Sequence, residues 1–365
     1  MRILPLFMFA MACGGATPQA ADQKGGDGEA TTAEAAKAPV FSLAWSEYPS
    51  WSTFGVAHEM GLVNGKEGEM GPIEKKHNVD LVLKEADYDS CLQMYGANRV
   101  DGAALTNMDS LPSSLTRKTV GILPTSTSFG ADALITTNDI TELAQLEGKK
   151  TYGLALTVSE YTFARNLELA GLDPAKFTFS NMDPAAAATA MQQRQDGYNA
   201  IVVWNPFVLE TLRKRDDVKV LADSTRIPGE IIDMVVVGQD ALDKPGGDAF
   251  AHAVIETFYA VSDKIEAPET RDETLVALGA KFSKLDLESM VKVVDQTRFY
   301  KTADDGLNLF NGDEVKATMD TVVKFAAERG IVDKAPKVGF GDKATAGDAD
   351  FRFDPSYMQH VKGGN

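Results

Sequence analysis

The chain has 365 residues, 44% hydrophobic and 24% charged, an ordinary balance for a globular protein. Its 53 acidic residues outnumber 36 basic ones, and the net charge of −17 excludes a surface built for nucleic-acid phosphates. Two cysteines are too few for a disulfide framework.

Read from the N-terminus, Arg2 leads a short apolar run that ends in Ala10-Met11-Ala12-Cys13. The run falls well short of the roughly 20 apolar residues of a spanning helix, so positions 1–12 read as a cleaved lipoprotein signal peptide. The segment ending at Cys13 resembles a bacterial lipobox, in which the cysteine is acylated and becomes the new N-terminus. An ordinary signal with an incidental cysteine is the plainer alternative. Acylation would tether the protein to a membrane at about 0.8 kcal/mol per buried methylene. Positions 14–39 hold no Val, Ile, Leu, Met or aromatic residue, so 13–40 reads as a flexible tether. The remainder, about 325 residues, is more than a single core usually holds, and two lobes are expected. No later run is apolar enough to span a membrane, and Cys91 is expected as a buried small hydrophobe.

From Val40 the pattern alternates strand and helix. Strand-like runs fall at 41–45, 80–86, 101–106, 119–124, 132–136, 150–156, 176–180, 200–204, 218–222 and 231–237. Helical stretches fall at 52–61, 88–97, 140–146, 159–170, 184–195 and 207–214. This alternation predicts an α/β fold of parallel sheets flanked by helices. After Gly238 the strands stop, and 248–262, 269–282, 286–297 and 311–329 read as a helical C-terminal third. Phe351-Arg-Phe-Asp-Pro is a candidate docking element in a Gly/Asp-rich tail. Ten strands are too many for one small sheet of this kind. The expected arrangement is a two-lobed clamshell, lobe I from 41–128 plus 228–365 and lobe II from 129–227. The chain would cross near 126–132 and return near 227–233, forming a hinge over a cleft.

Recognisable catalytic or metal motifs are missing. There is no G-x-S-x-G, no P-loop and no H-E-x-x-H; His58-Glu59 starts like a zinc helix, but Leu62 stands where the second ligand should be. The other histidines, His77, His252 and His360, have no metal spacing, and Asp348, Asp350 and Asp354 lack the rest of a calcium loop. No cofactor or metal is expected, and a binder is favoured over an enzyme.

In open α/β sheets ligands bind beyond the carboxyl ends of strands. Those ends carry Trp45, Glu47, Tyr48 and Trp51 after the first strand and Asn107 and Asp109 after the third. They carry Asp132 at the first crossing, Ser159 and Tyr161 in the second lobe, Trp204 and Asn205 after a later strand, and Glu230 and Asp233 at the return. For each the plainer alternative is packing or helix capping. Lys and Arg are absent from this set, so an anion would have to rely on helix N-terminal amides alone. A cationic or amide-like solute would find carboxylates and aromatic faces.

These segments also resemble a family. Phe41-Ser-Leu-Ala-Trp-Ser46, Asp101-Gly-Ala-Ala-Leu-Thr-Asn-Met-Asp109, Val158-Ser-Glu-Tyr161, Val203-Trp-Asn-Pro206, Ile227-Pro-Gly-Glu230 and Lys316-Ala-Thr-Met-Asp320 are similar to periplasmic substrate-binding proteins of ABC importers. The group is the nitrate/sulfonate/taurine type, and the chain looks closest to its urea-carboxylase-associated branch. The resemblance implies a small-molecule ligand, permease and ATPase partners, and delivery of solute rather than catalysis; a monomer is expected. The carboxylate of Asp109 departs from what anion binders favour and points to urea, guanidinium or an amine. Taurine, another sulfonate, nitrate or a pyrimidine thiamine precursor remains an alternative, as do a pyrimidine-synthase-like enzyme and a sensor or scaffold.

Overall fold

In the computed structural model, residues 37–364 are described; the leader, Cys13 and nearly all of the tether lie outside them. Four strands open the fold: β1 (Val40–Trp45), β2 (Asp80–Glu85), β3 (Gly102–Thr106) and β4 (Thr119–Ser128). The chain then passes through 129–131 into β5 (Asp132–Thr137), β6 (Lys150–Gly153), β7 (Thr178–Asn181), β8 (Ala200–Trp204) and β9 (Val218–Asp223). It returns through 224–231 to β10 (Ile232–Gly238) and ends with three short strands, β11 (Thr297–Phe299), β12 (Val338–Phe340) and β13 (Phe351–Phe353).

These strands make two sheets. The larger runs β12-β13-β4-β10-β3-β1-β2, with β11 also on β4, and the smaller runs β7-β6-β8-β5-β9. Parallel pairs such as β1–β2 and β6–β7 come from the strand–helix alternation. Each sheet is nonetheless mixed. β10 is antiparallel to β3 and β4, and β5 is antiparallel to β8 and β9. Both are the strands by which the chain arrives from the other sheet. Arriving without the helical crossover that a parallel neighbour needs, they enter in the opposite direction.

Burial follows the two-residue period of a strand covered on both faces. In the smaller sheet Leu134, Ala200 and Val202 pack into one cluster, while Ala133, Ile135, Ile201 and Val203 pack into another. Strands β3, β8 and β10 are buried from end to end.

The expectation that strands stop at Gly238 is corrected by β11, β12 and β13, each only three residues long and too short to show a period. Phe351-Arg-Phe is the inner of the last two strands. It pairs in parallel with β4, Phe351 opposite Thr119 and Phe353 opposite Gly121. Phe351 and Phe353 are fully buried, and Phe353 meets Phe310 edge to face and Phe340 in a stack. The remaining C-terminal elements are helical, chiefly Gly247–Glu266, Arg271–Lys281, Leu287–Gln296, Ala303–Asn311 and Asp313–Glu328. No helix among the described residues is long and apolar enough to cross a membrane.

Candidate functional site

The carboxyl ends of β1, β2 and β3 face those of β6 and β8, and a chain of four aromatic rings fills the space between. Tyr48 lies 4.8 Å from Trp51, Trp51 stacks at 5.4 Å on Tyr88, and Tyr88 meets Trp204 edge to face at 5.5 Å. The first three rings follow strands of the larger sheet, and Trp204 ends β8 of the smaller one. The turn from Tyr48 to Trp51 is held by the amide of Trp51 donating to the Tyr48 carbonyl. Between them the Ser50 hydroxyl bonds Thr125 at 3.0 Å and Ser126 at 2.8 Å on β4.

Two carboxyl groups reach the same cavity from opposite sheets. Asp132 starts β5 directly across from Trp204 on β8. Asp233 lies on β10 across from Thr106 at the end of β3, and accepts from the Ser126 hydroxyl at 2.6 Å. With Val158 these groups enclose about 10 Å³, space for roughly one water. Asp109 stands just behind. Its Oδ2 accepts from the Tyr88 hydroxyl at 2.7 Å and lies 3.4 Å from the amide of Val158, at the start of the helix Val158–Leu169. The other oxygen of Asp109 is buried without a partner among the described residues, as are the Tyr48 hydroxyl and the Trp51 indole N–H.

Burial without a counter-charge sets the electrostatics. It pushes the Asp109 carboxyl up to about 7 and that of Asp132 up to about 6, and holds that of Asp233 well above the usual carboxylate range. The three groups also repel one another: Asp132 raises both Asp109 and Asp233. The Tyr48 and Tyr88 phenols are raised by burial and by the adjacent carboxylates.

Beyond the Tyr88–Trp204 contact lies an open groove of about 450 Å³. Glu47, Glu85, Asp87 and Asp89 line its larger-sheet side, and Asp183 lies on the other with Leu154 and Phe207. Asp87 and Asp183 each cap a helix, and Glu47 accepts from the Ser283 hydroxyl at 2.7 Å. No Lys, Arg or His lines either the cavity or the groove.

Of the residues singled out in the sequence, the structure therefore brings Tyr48, Trp51, Asp132, Trp204 and Asp233 to one cavity, Asp109 to its edge and Glu47 to the groove. The others lie elsewhere. The ring of Trp45 packs on the helix Thr53–Glu59 where Gly55 leaves room, since a Cβ there would stand 2.8 Å from the indole. Asn107 ties the return crossing to β3, donating to the Glu230 carbonyl and accepting from the Ile232 amide, each at 3.1 Å. Asn205 donates to Gln296 at 3.0 Å. Glu230 is gripped by Arg165 through two bonds of 2.9 Å and by the Tyr161 hydroxyl. Burial opposes the Glu230 charge, but these bonds hold its carboxyl below the usual range. Ser159 is buried in the first turn of its helix, outside the cavity lining. Sequence reading missed Tyr88, although the rule of strand ends, applied to the second strand as to the first and third, finds it.

Cys91 is buried, and burial pushes its thiol up to about 12. The separation of the histidines in sequence is misleading in space. The rings of His252 and His360 stack at 3.9 Å, with His77 at 6.2 Å from His252. Among the described residues no three His, Cys, Asp or Glu side chains are placed to hold a metal ion.

No protein-family model matches the chain, and no curated protein matches it. Solved structures do. The periplasmic aliphatic sulphonate binding protein SsuA from Escherichia coli superposes with a TM-score of 0.63 at 19% identity, over 81% of this chain and 94% of that one. The alkanesulfonate-binding protein SsuA from Xanthomonas axonopodis pv. citri, bound to MOPS, gives 0.64 at 15% identity, over 82% and 96%. A Candida albicans gene product that defines a family with the generic periplasmic binding protein fold gives 0.60 at 14% identity, over 81% and 92%. At these identities the likeness is one of architecture, and the architecture shared is the periplasmic-binding-protein fold.

Proposed function

We propose that this chain is an extracytoplasmic solute-binding protein of an ABC importer, lipid-anchored through Cys13, monomeric and without catalytic activity. In this reading 41–128 plus 228–365 form one lobe and 129–227 the other. The lobes must part to admit a solute, since the cavity as it stands has room for about one water, and they then hand it to permease and ATPase subunits. The shared fold with binding proteins of that kind supports the reading. The proposed solute is small and nitrogen-containing, cationic or amide-like: guanidinium, urea or an amine.

One observation carries the choice of solute. Asp109, Asp132 and Asp233 are buried beside four aromatic rings, with no basic side chain lining the cavity. A cation there gains charge-assisted hydrogen bonds and aromatic faces, and it relieves the repulsion among the carboxylates. Calorimetric titration with guanidinium, urea, taurine and nitrate tests it. Heat of binding with guanidinium or urea and none with the two anions is the expected result; tight binding of an anion alone overturns it.

A sulfonate or taurine ligand is the second reading, favoured by the fold likeness to sulfonate binders. It would use the amides at the start of the helix Val158–Leu169. Asp109 already faces that helix end, and a second negative group beside it is unfavourable.

A further inference from the structure

The unpartnered atoms at the cavity say more about the ligand than its charge. The Trp51 indole N–H is a donor only, its residue is 3% exposed, and nothing among the described residues accepts from it. The Tyr48 hydroxyl is equally buried, close to Asp233 and yet without a bond in good geometry. Buried donors left unmade are costly, and native proteins satisfy nearly all of them. The carboxyl group of Asp233 already takes the Ser126 hydroxyl, and it and Asp132 have lone pairs to accept further donors from the cavity. A plain alkylammonium or guanidinium ion would serve the carboxylates and leave the indole unpaired.

We propose that the ligand is bifunctional, placing an N–H-bearing cationic group against Asp132 and Asp233 and a neutral oxygen acceptor against the indole N–H of Trp51. This inference rests on the cationic reading above and narrows it to oxygen-bearing amines of the amino-alcohol, amino-ether or amino-amide type.

Two pairs of probes of matched size and equal charge test it by calorimetry on the full chain: ethanolamine against propylamine, and 2-methoxyethylamine against butylamine. The ether oxygen accepts but cannot donate, so a gain in the second pair cannot come from a hydroxyl bonding a carboxylate. The oxygen-bearing member of each pair should bind about tenfold tighter. In Trp51→Phe, which keeps a ring and removes the N–H, the gap should shrink to within about twofold. The ether pair on the unaltered protein carries the test if that variant does not fold. Binding of all four amines without preference for oxygen overturns this inference and leaves the cationic reading standing. Failure of every amine, of guanidinium and of urea to bind overturns both.

Discussion

Asp132 and Trp204 stand directly opposite each other across β5 and β8, so a strand ladder fixes the spacing of a carboxyl and an indole that both line the cavity. Thr106 and Asp233 repeat the arrangement in the larger sheet. Each half of the cavity is thus set by paired strand ends, which are stiffer supports than loops, and the remaining aromatic rings come from the turns that follow β1 and β2.

Replacing Asp132 with Asn keeps the shape of the side chain and removes its charge. A charge-assisted hydrogen bond contributes about 1.5–3 kcal/mol, so guanidinium affinity should fall roughly ten- to hundredfold. Taurine binding should be unchanged or stronger. Unaltered guanidinium affinity by titration calorimetry would remove Asp132 from the ligand's contacts.

The raised carboxyl groups make a prediction with a definite sign. The folded protein keeps a proton on Asp109 up to about pH 7, whereas an unfolded chain loses it near the ordinary value of about 3.9. More protons are then bound to the folded state between those values, so this group's contribution to stability falls as pH rises through that window. Asp109→Asn, which mimics the neutral form, should match the unaltered protein in melting temperature near pH 4. It should then gain on it progressively, by as much as a few kcal/mol, until about pH 7. Guanidinium should stabilise the unaltered protein more at pH 8 than at pH 5. A stability difference that does not change with pH would show that Asp109 is not held protonated.

Phe353→Ala should cost about 3–5 kcal/mol, as for other fully buried aromatic side chains. The residue pairs with β4 well away from the cavity, so solute affinity measured on folded protein should be unchanged. Loss of affinity without loss of stability would contradict this placement.

Cys13→Ser should release the protein from the membrane fraction in soluble form, with the melting temperature of the remainder preserved. Continued membrane association after fractionation would refute the lipid anchor.

The parts of this architecture that repeat were legible in the sequence. Apolar runs such as Ile201-Val-Val at β8 and Met234-Val-Val-Val at β10 are long enough to declare a strand, and their spacing announces two sheets. Strands of three residues, such as Phe351-Arg-Phe, have no period, and only their aromatic content marked that segment as anchored. In the site, the rule of strand ends pointed to Tyr48, Trp51 and Trp204, while Asp132 and Asp233, at the starts of β5 and β10, were marked by the two crossings. It could not tell which way a strand-end side chain turns. Trp45 sits three residues before Tyr48 and points into the core instead, because Gly55 opens a slot for its ring. Glu230 looked as available as Asp233, and only the folded chain brings Arg165 to it from sixty-five residues away.

The pairing of β13 with β4 joins segments more than two hundred residues apart, and β10 must enter between β3 and β4 before the larger sheet is continuous. Contacts of such high order form slowly, because a long loop must close before they stabilise anything. The smaller sheet, drawn wholly from 132–223, carries no such debt and can assemble from one uninterrupted stretch. A chain shortened ahead of Phe351 therefore loses the strand that covers residues 119–121 of β4, leaving an open sheet edge there while β11 still covers 126–128.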